Sequence, residues 1–135
     1  MNNLSFDNGV RELVINGDEN RIIRFNPCDY ELLKRADGIY NRLDEKFKEI
    51  EEKELDTVEK LSQKDKVVRE EIDYLLDSKV SDIVFGRTNC LSISNGEYIF
   101  SNFLAALMKY IENSMKEEEA RSNEIIKQYT EQVGK

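Results

Sequence analysis

Histidine and tryptophan are absent from these 135 residues, and proline occurs once, at Pro27. The missing histidine removes the usual general base, the usual activator of a nucleophile and the commonest metal ligand. Two cysteines, Cys28 and Cys90, lie far apart and outside any Cys-x-x-Cys spacing. Neither a metal site, a redox motif nor a disulfide framework is therefore indicated. Positive charge is in deficit, with 20 Lys and Arg against 28 Asp and Glu, a net charge of −8. Such a field repels phosphate backbones and anionic lipid, so no nucleic acid and no membrane is expected as a partner. The longest apolar run, Phe103 to Met108, falls far short of the roughly 20 residues that span a bilayer. The opening Met1-Asn2-Asn3-Leu4-Ser5 has neither the basic start nor the apolar stretch of a signal peptide, which makes the cytoplasm the expected compartment.

What remains is a chain that is 39% apolar and 36% charged, enough to bury one modest core beneath a heavily charged surface. The first 26 residues read as strands. Leu4-Ser5-Phe6 is short and is followed by the turn residues Asp7-Asn8-Gly9. Val10 to Ile15 and Arg21 to Phe25 form a hairpin reversed somewhere in Asn16 to Asn20, with Leu13 and Ile15 on one face and Ile23 and Phe25 on the corresponding face of the partner. An isolated hairpin is marginal in water, so this face is expected to cover helices.

Asn26-Pro27 reads as a helix start, with Asn26 as cap, Pro27 in the first helical position and Asp29 near the positive end. Leu32, Ala36, Ile39, Tyr40, Leu43, Phe47 and Ile50 then follow at helical spacing, predicting a first helix from about Pro27 into the low fifties. Asp56-Thr57-Val58-Glu59 has the spacing of a capping box and favours a second helix over one long helix passing straight through, since nothing between Lys53 and Asp56 is a strong breaker; the next stripe is Val58, Leu61, Val68, Ile72, Leu75 and Leu76. Val80 to Phe85 gives a short apolar turn closed by Gly86. After a loop in which Cys90 to Ile93 has some strand character, Ser94 to Glu97 repeats the capping spacing. The most hydrophobic helix follows, with Phe100, Phe103, Leu104, Leu107, Met108, Ile111 and Met115 on one face. From Lys116 the chain is mostly charged, and only Ile125, Ile126, Tyr129 and Val133 return at helical spacing. The expected fold is α+β and mostly α, an N-terminal β-hairpin packed on a bundle of about three main helices. A single domain over residues 1–115 carries a charged extension, helical or frayed, over residues 116–135.

Chemistry is sparse. Cys28 near a helix start is the sharpest enzymatic hint, since the helix dipole lowers a thiol pKa, but a small packed residue is the plainer reading. Glu51-Glu52, Glu70-Glu71 and Glu117 to Glu119 read as solvated helix faces among lysines. The glycines are isolated, and neither a phosphate loop nor EF-hand spacing occurs. No catalytic residue, metal ligand or cofactor is expected. Phe100, Phe103, Leu104, Leu107, Met108 and Ile111 are the candidate partner-binding residues, with core packing as the equal alternative.

The order of these pieces resembles a known family. Phe6-Asp7-Asn8-Gly9-Val10 leads into Leu13-Val14-Ile15-Asn16-Gly17, then Arg24-Phe25-Asn26-Pro27 with Asp29 enters a charged helix. Val84-Phe85-Gly86 and Asn102-Phe103-Leu104-Ala105-Ala106-Leu107-Met108 follow. Over most of residues 4–112 this looks like the small tail assembly chaperones of long-tailed phages (siphoviruses) and prophages of Gram-positive bacteria. The resemblance implies a non-enzymatic protein that coats the tape measure protein, keeps its hydrophobic helices soluble, helps recruit tail tube protein and forms homo-oligomers in the bacterial host. Cys28 departs from the small polar residue expected there. The alternative from the residues alone is an acidic helical adaptor or regulatory protein that binds one specific globular partner.

Overall fold

The structure is a computed structural model that describes residues 1–133. It is α+β, with an N-terminal antiparallel hairpin followed by helices. Strands β1 (Arg11–Ile15) and β2 (Asp18–Phe25) pair with Leu13 opposite Ile23 and Arg11 opposite Phe25. Ile23 and Phe25 are buried, as their alternation predicts. The reversal is tighter than the five residues expected. Asn16 and Gly17 alone make it, both with positive φ (51° and 74°), which is the Asn-Gly hairpin turn whose twist matches that of the strands. The expected strand at Leu4 to Phe6 does not form: residues 1–10 have no secondary structure, and their apolar side chains find no sheet.

Asn26 does not cap a helix. Its side-chain oxygen accepts from Cys28 N at 2.8 Å and its amide donates to Asn8 O at 3.2 Å, which commits it to a turn. Asp29 is the cap, accepting from Glu31 N at 2.9 Å, and helix α1 runs Tyr30–Ala36. The single helix expected from Pro27 into the fifties is broken at Gly38, whose φ of 74° is left-handed, and α2 resumes at Ile39–Glu51. The break leaves α1 carbonyls without helical partners, and Arg42 supplies them. Its guanidinium donates to Asp37 O at 2.7 Å and Arg35 O at 2.9 Å.

The capping spacing at Asp56 holds: its carboxylate accepts from Glu59 N at 2.8 Å, and α3 runs Thr57–Leu76. Three members of the predicted stripes stay outside the core. Tyr40, Val58 and Leu61 are exposed, and α3 becomes core only from Val68 onward. The solvated-face reading fails at Glu71, which is 5% exposed and held by Arg42 Nε at 3.1 Å and Lys46 Nζ at 2.9 Å. Helix α4 (Ser81–Phe85) ends at Gly86, as expected. Arg21 of β2 donates to Ile83 O at 2.8 Å and Val84 O at 3.1 Å, tying the hairpin to the end of this short helix.

The second capping expectation fails. Ser94 and Glu97 face each other across a two-residue hairpin, β3 (Ile93–Ser94) with β4 (Glu97–Tyr98), turned by left-handed Asn95 and Gly96. Loop carbonyls then serve the first amides of the last helix: Ile99 N donates to Ser92 O at 2.8 Å and Phe100 N to Cys90 O at 3.1 Å. That helix, α5, runs Ile99–Val133 for 35 residues, about 52 Å at the standard rise. It passes through residue 116 without a break. Its first half packs on the core through edge-on aromatic pairs, Phe25 with Tyr110, Phe47 with Phe100 and Phe85 with Phe103. Residues 116–132 belong to this helix and are all exposed.

Candidate partner-binding groove

The six candidate residues of α5 divide. Phe100, Leu104, Leu107 and Ile111 are buried in the core with Leu32, Leu43, Val68, Ile72 and Leu75. Phe103 and Met108 are only partly buried. The helical period explains the division: positions 100, 104, 107 and 111 point at the bundle, while 103 and 110 lie at the shoulder toward the hairpin.

At that shoulder a groove of about 530 Å³ separates the hairpin from α5. Phe103, Ala106 and Tyr110 form its helical wall, with Leu107 at its base, and Leu13, Val14 and Ile15 form the wall opposite. Val84 and Phe85 close one end. No lining residue carries a charge, and the polar ones are Asn16, Ser94, Asn102 and Tyr110. In a chain that is 36% charged, such a surface is conspicuous for what it would accept: an apolar segment that carries its charges elsewhere. Of the six candidates, Phe103 and Leu107 are the ones that reach it.

The hairpin half of the groove was not among the candidate residues. Nothing local in Leu13 or Ile15 distinguishes a groove wall from a sheet face laid flat on helices. The signal appears only when Arg21 anchors β2 to α4 and leaves β1 standing off α5.

A second apolar surface lies further along α5. Ile125, Ile126 and Tyr129 are 65%, 58% and 69% exposed, one side of a helix with nothing packed against it. This is the stripe expected to need a partner.

No protein family, no curated protein and no solved structure matches this chain. The geometry must therefore be read on its own.

Burial raises the pKa of both thiols. Cys90 is fully buried, and burial pushes its pKa well above the usual value, with the neighbouring Asp65 adding to the effect. A helix dipole could lower the Cys28 pKa only from a place inside the first turn. Cys28 instead precedes the Asp29 cap, and burial raises its pKa, aided by Glu118 across the gap. Among the described residues, no group of three or more Cys, Asp or Glu side chains is arranged to hold a metal ion. Nor is any helix among them long and apolar enough to cross a membrane.

Proposed function

We propose that this chain is a non-enzymatic tail assembly chaperone of a phage or prophage. In this reading it binds the tape measure protein in the cytoplasm of the bacterial host cell, assists assembly of the tail tube protein, and acts as a homo-oligomer without a cofactor. The observation that carries the reading is the uncharged groove along the shoulder of α5, joined, beyond the charged Glu117, Glu118 and Arg121 of the same helix, by the bare Ile125, Ile126 and Tyr129 stripe. A groove of this kind takes the apolar face of an amphipathic helix at i, i+3, i+4 and i+7. A tape measure protein, as the resemblance describes it, is a long succession of such faces. The net charge of −8 keeps a complex with a hydrophobic client soluble. Raised thiol pKa values at both cysteines support the non-enzymatic part.

The competing reading is an acidic helical adaptor that holds one globular partner. Sequencing the DNA beside the gene and expressing its longest helical reading frame with and without this chain separates the two. The chaperone reading expects that frame to be insoluble alone and to co-purify with this chain. A frame that stays insoluble, or neighbours of ordinary metabolic type, would leave the adaptor.

A further inference from the structure

Strand β1 is an open edge. Its main chain pairs with β2 alone, and no other described main-chain group bonds to it. Consecutive residues Leu13, Val14, Ile15 and Asn16 all border the groove, so the groove exposes the edge of the strand as well as a face. A bare edge beside an uncharged apolar trough is a template for one more strand.

The chain carries a segment with the matching chemistry. Met1 to Phe6 contains no charged side chain and belongs to no element of the fold. Leu4 and Phe6 are 86% and 76% exposed and stand two residues apart, the period that puts both on one face of a strand. Among the described residues, the other uncharged stretches of this length lie in the loop before α5 or in α5 itself and are partly buried.

The root of this arm is held in place at Asp7, Asn8 and Gly9. Gly9 has φ +83°, and a Cβ there would sit 2.6 Å from Asn26 Nδ2, so the backbone is pressed against that side chain. Asn26 Nδ2 donates to Asn8 O at 3.2 Å. The Asp7 carboxylate accepts from Gly9 N at 2.8 Å and from Arg11 Nη1 at 3.1 Å. Pairing of residues 1–6 with another molecule leaves these contacts in place.

We infer that the arm Met1–Phe6 of one copy adds as a strand to the β1 edge of a second copy, seating Leu4 and Phe6 in its groove. The arm matches the groove in lacking charge and the open β1 edge in being able to pair as a strand, whereas the bare Ile125, Ile126 and Tyr129 stripe lies on a helix and offers no strand edge. The inference rests on these residues and not on the tape measure reading. If a client helix uses the same groove, it displaces the arm.

The test compares the full chain, a chain lacking residues 2–6, a Leu4→Ser/Phe6→Ser double variant and an Ile125→Ser/Ile126→Ser double variant. Molar mass is measured by light scattering after size exclusion over a range of concentrations, with circular dichroism as the check on folding. Because Leu4 and Phe6 touch nothing within the molecule, their variants keep the fold. The full chain and the tail variant are expected to associate, while both arm variants run as monomers. A fluorescent peptide of residues 1–10 should bind the arm-deleted chain, and its Leu4→Ser/Phe6→Ser version should bind at least about tenfold more weakly. A monomeric full chain, an arm-deleted chain that still associates, or a peptide that does not bind would each overturn the inference.

Discussion

Replacing Arg42 by alanine should cost far more than removing Glu71, the carboxylate it contacts. Glu71 is 5% exposed and accepts from both Arg42 and Lys46, while Arg42 is 35% exposed and also donates to two α1 carbonyls. Arg42→Ala strands a buried carboxylate on one lysine and orphans Asp37 O and Arg35 O at the broken helix end. Breaking a buried pair from one side costs about 3–5 kcal/mol, and the partial exposure of Arg42 places the loss near the lower figure, about 3 kcal/mol. Glu71→Met removes the buried charge instead, leaves Arg42 on its carbonyls, and should be within about 1 kcal/mol of neutral. Urea unfolding followed by circular dichroism reads both, with m unchanged if the fold is kept. The corresponding fall in Tm for Arg42→Ala is about 10 °C in a chain of this size. Equal losses for the two variants, or a loss below about 1 kcal/mol for Arg42→Ala, would refute the claim that Arg42 holds the α1–α2 break together.

Gly38→Ala tests the same break through the backbone: at φ +74° it should cost about 1 kcal/mol in the same urea assay, and a neutral result would mean the junction relaxes. Leu104→Ala, at a site 1% exposed, should lose about 2–5 kcal/mol, whereas a loss under 1 kcal/mol would show that this position of α5 is not core. Acid should loosen the arm root and the turn between α2 and α3. Asp7 is held below its usual pKa by Arg11, and Glu51 by Lys64 and Lys60. A carboxylate whose folded pKa is depressed contributes stability above its unfolded pKa, near 3.8 for Asp7 and 4.5 for Glu51. That contribution is lost as pH falls through the lower folded value. NMR titration of both carboxyl groups should show midpoints below those figures, and midpoints at or above them would contradict the pairing.

The local signals that survived folding are those that act within a few residues. Asp56 caps α3 as its spacing to Glu59 implies, and Asn16-Gly17 turns the hairpin. Period-two and helical spacings correctly put Ile23, Phe25, Leu104 and Ile111 inside. Failures came where distant groups decide. Gly38 breaks a continuous stripe because Arg42 gathers the loose carbonyls while reaching Glu71, 29 residues away. Asn26 turns the chain instead of capping it because Asn8 supplies a carbonyl from 18 residues upstream. Ser94 gives up its capping role because Asn95-Gly96 makes a hairpin and loop carbonyls serve the start of α5. The groove was half legible. Its α5 wall could be read from the stripe, but its other wall needs β1 held off the helix by a contact between residues 21 and 83.

If the groove receives an apolar helix, a supplied one must perturb the side chains that line it. The direct measurement is methyl NMR of the arm-deleted chain titrated with an amphipathic helical peptide from the longest helical reading frame beside its gene. Binding in the groove should shift the methyls of Leu13, Ile15 and Leu107 and of the exposed Ile125 and Ile126, with Ile72 and Leu75 in the far core unmoved. Shifts confined to the charged faces of α2 and α3, or none at all, would contradict it.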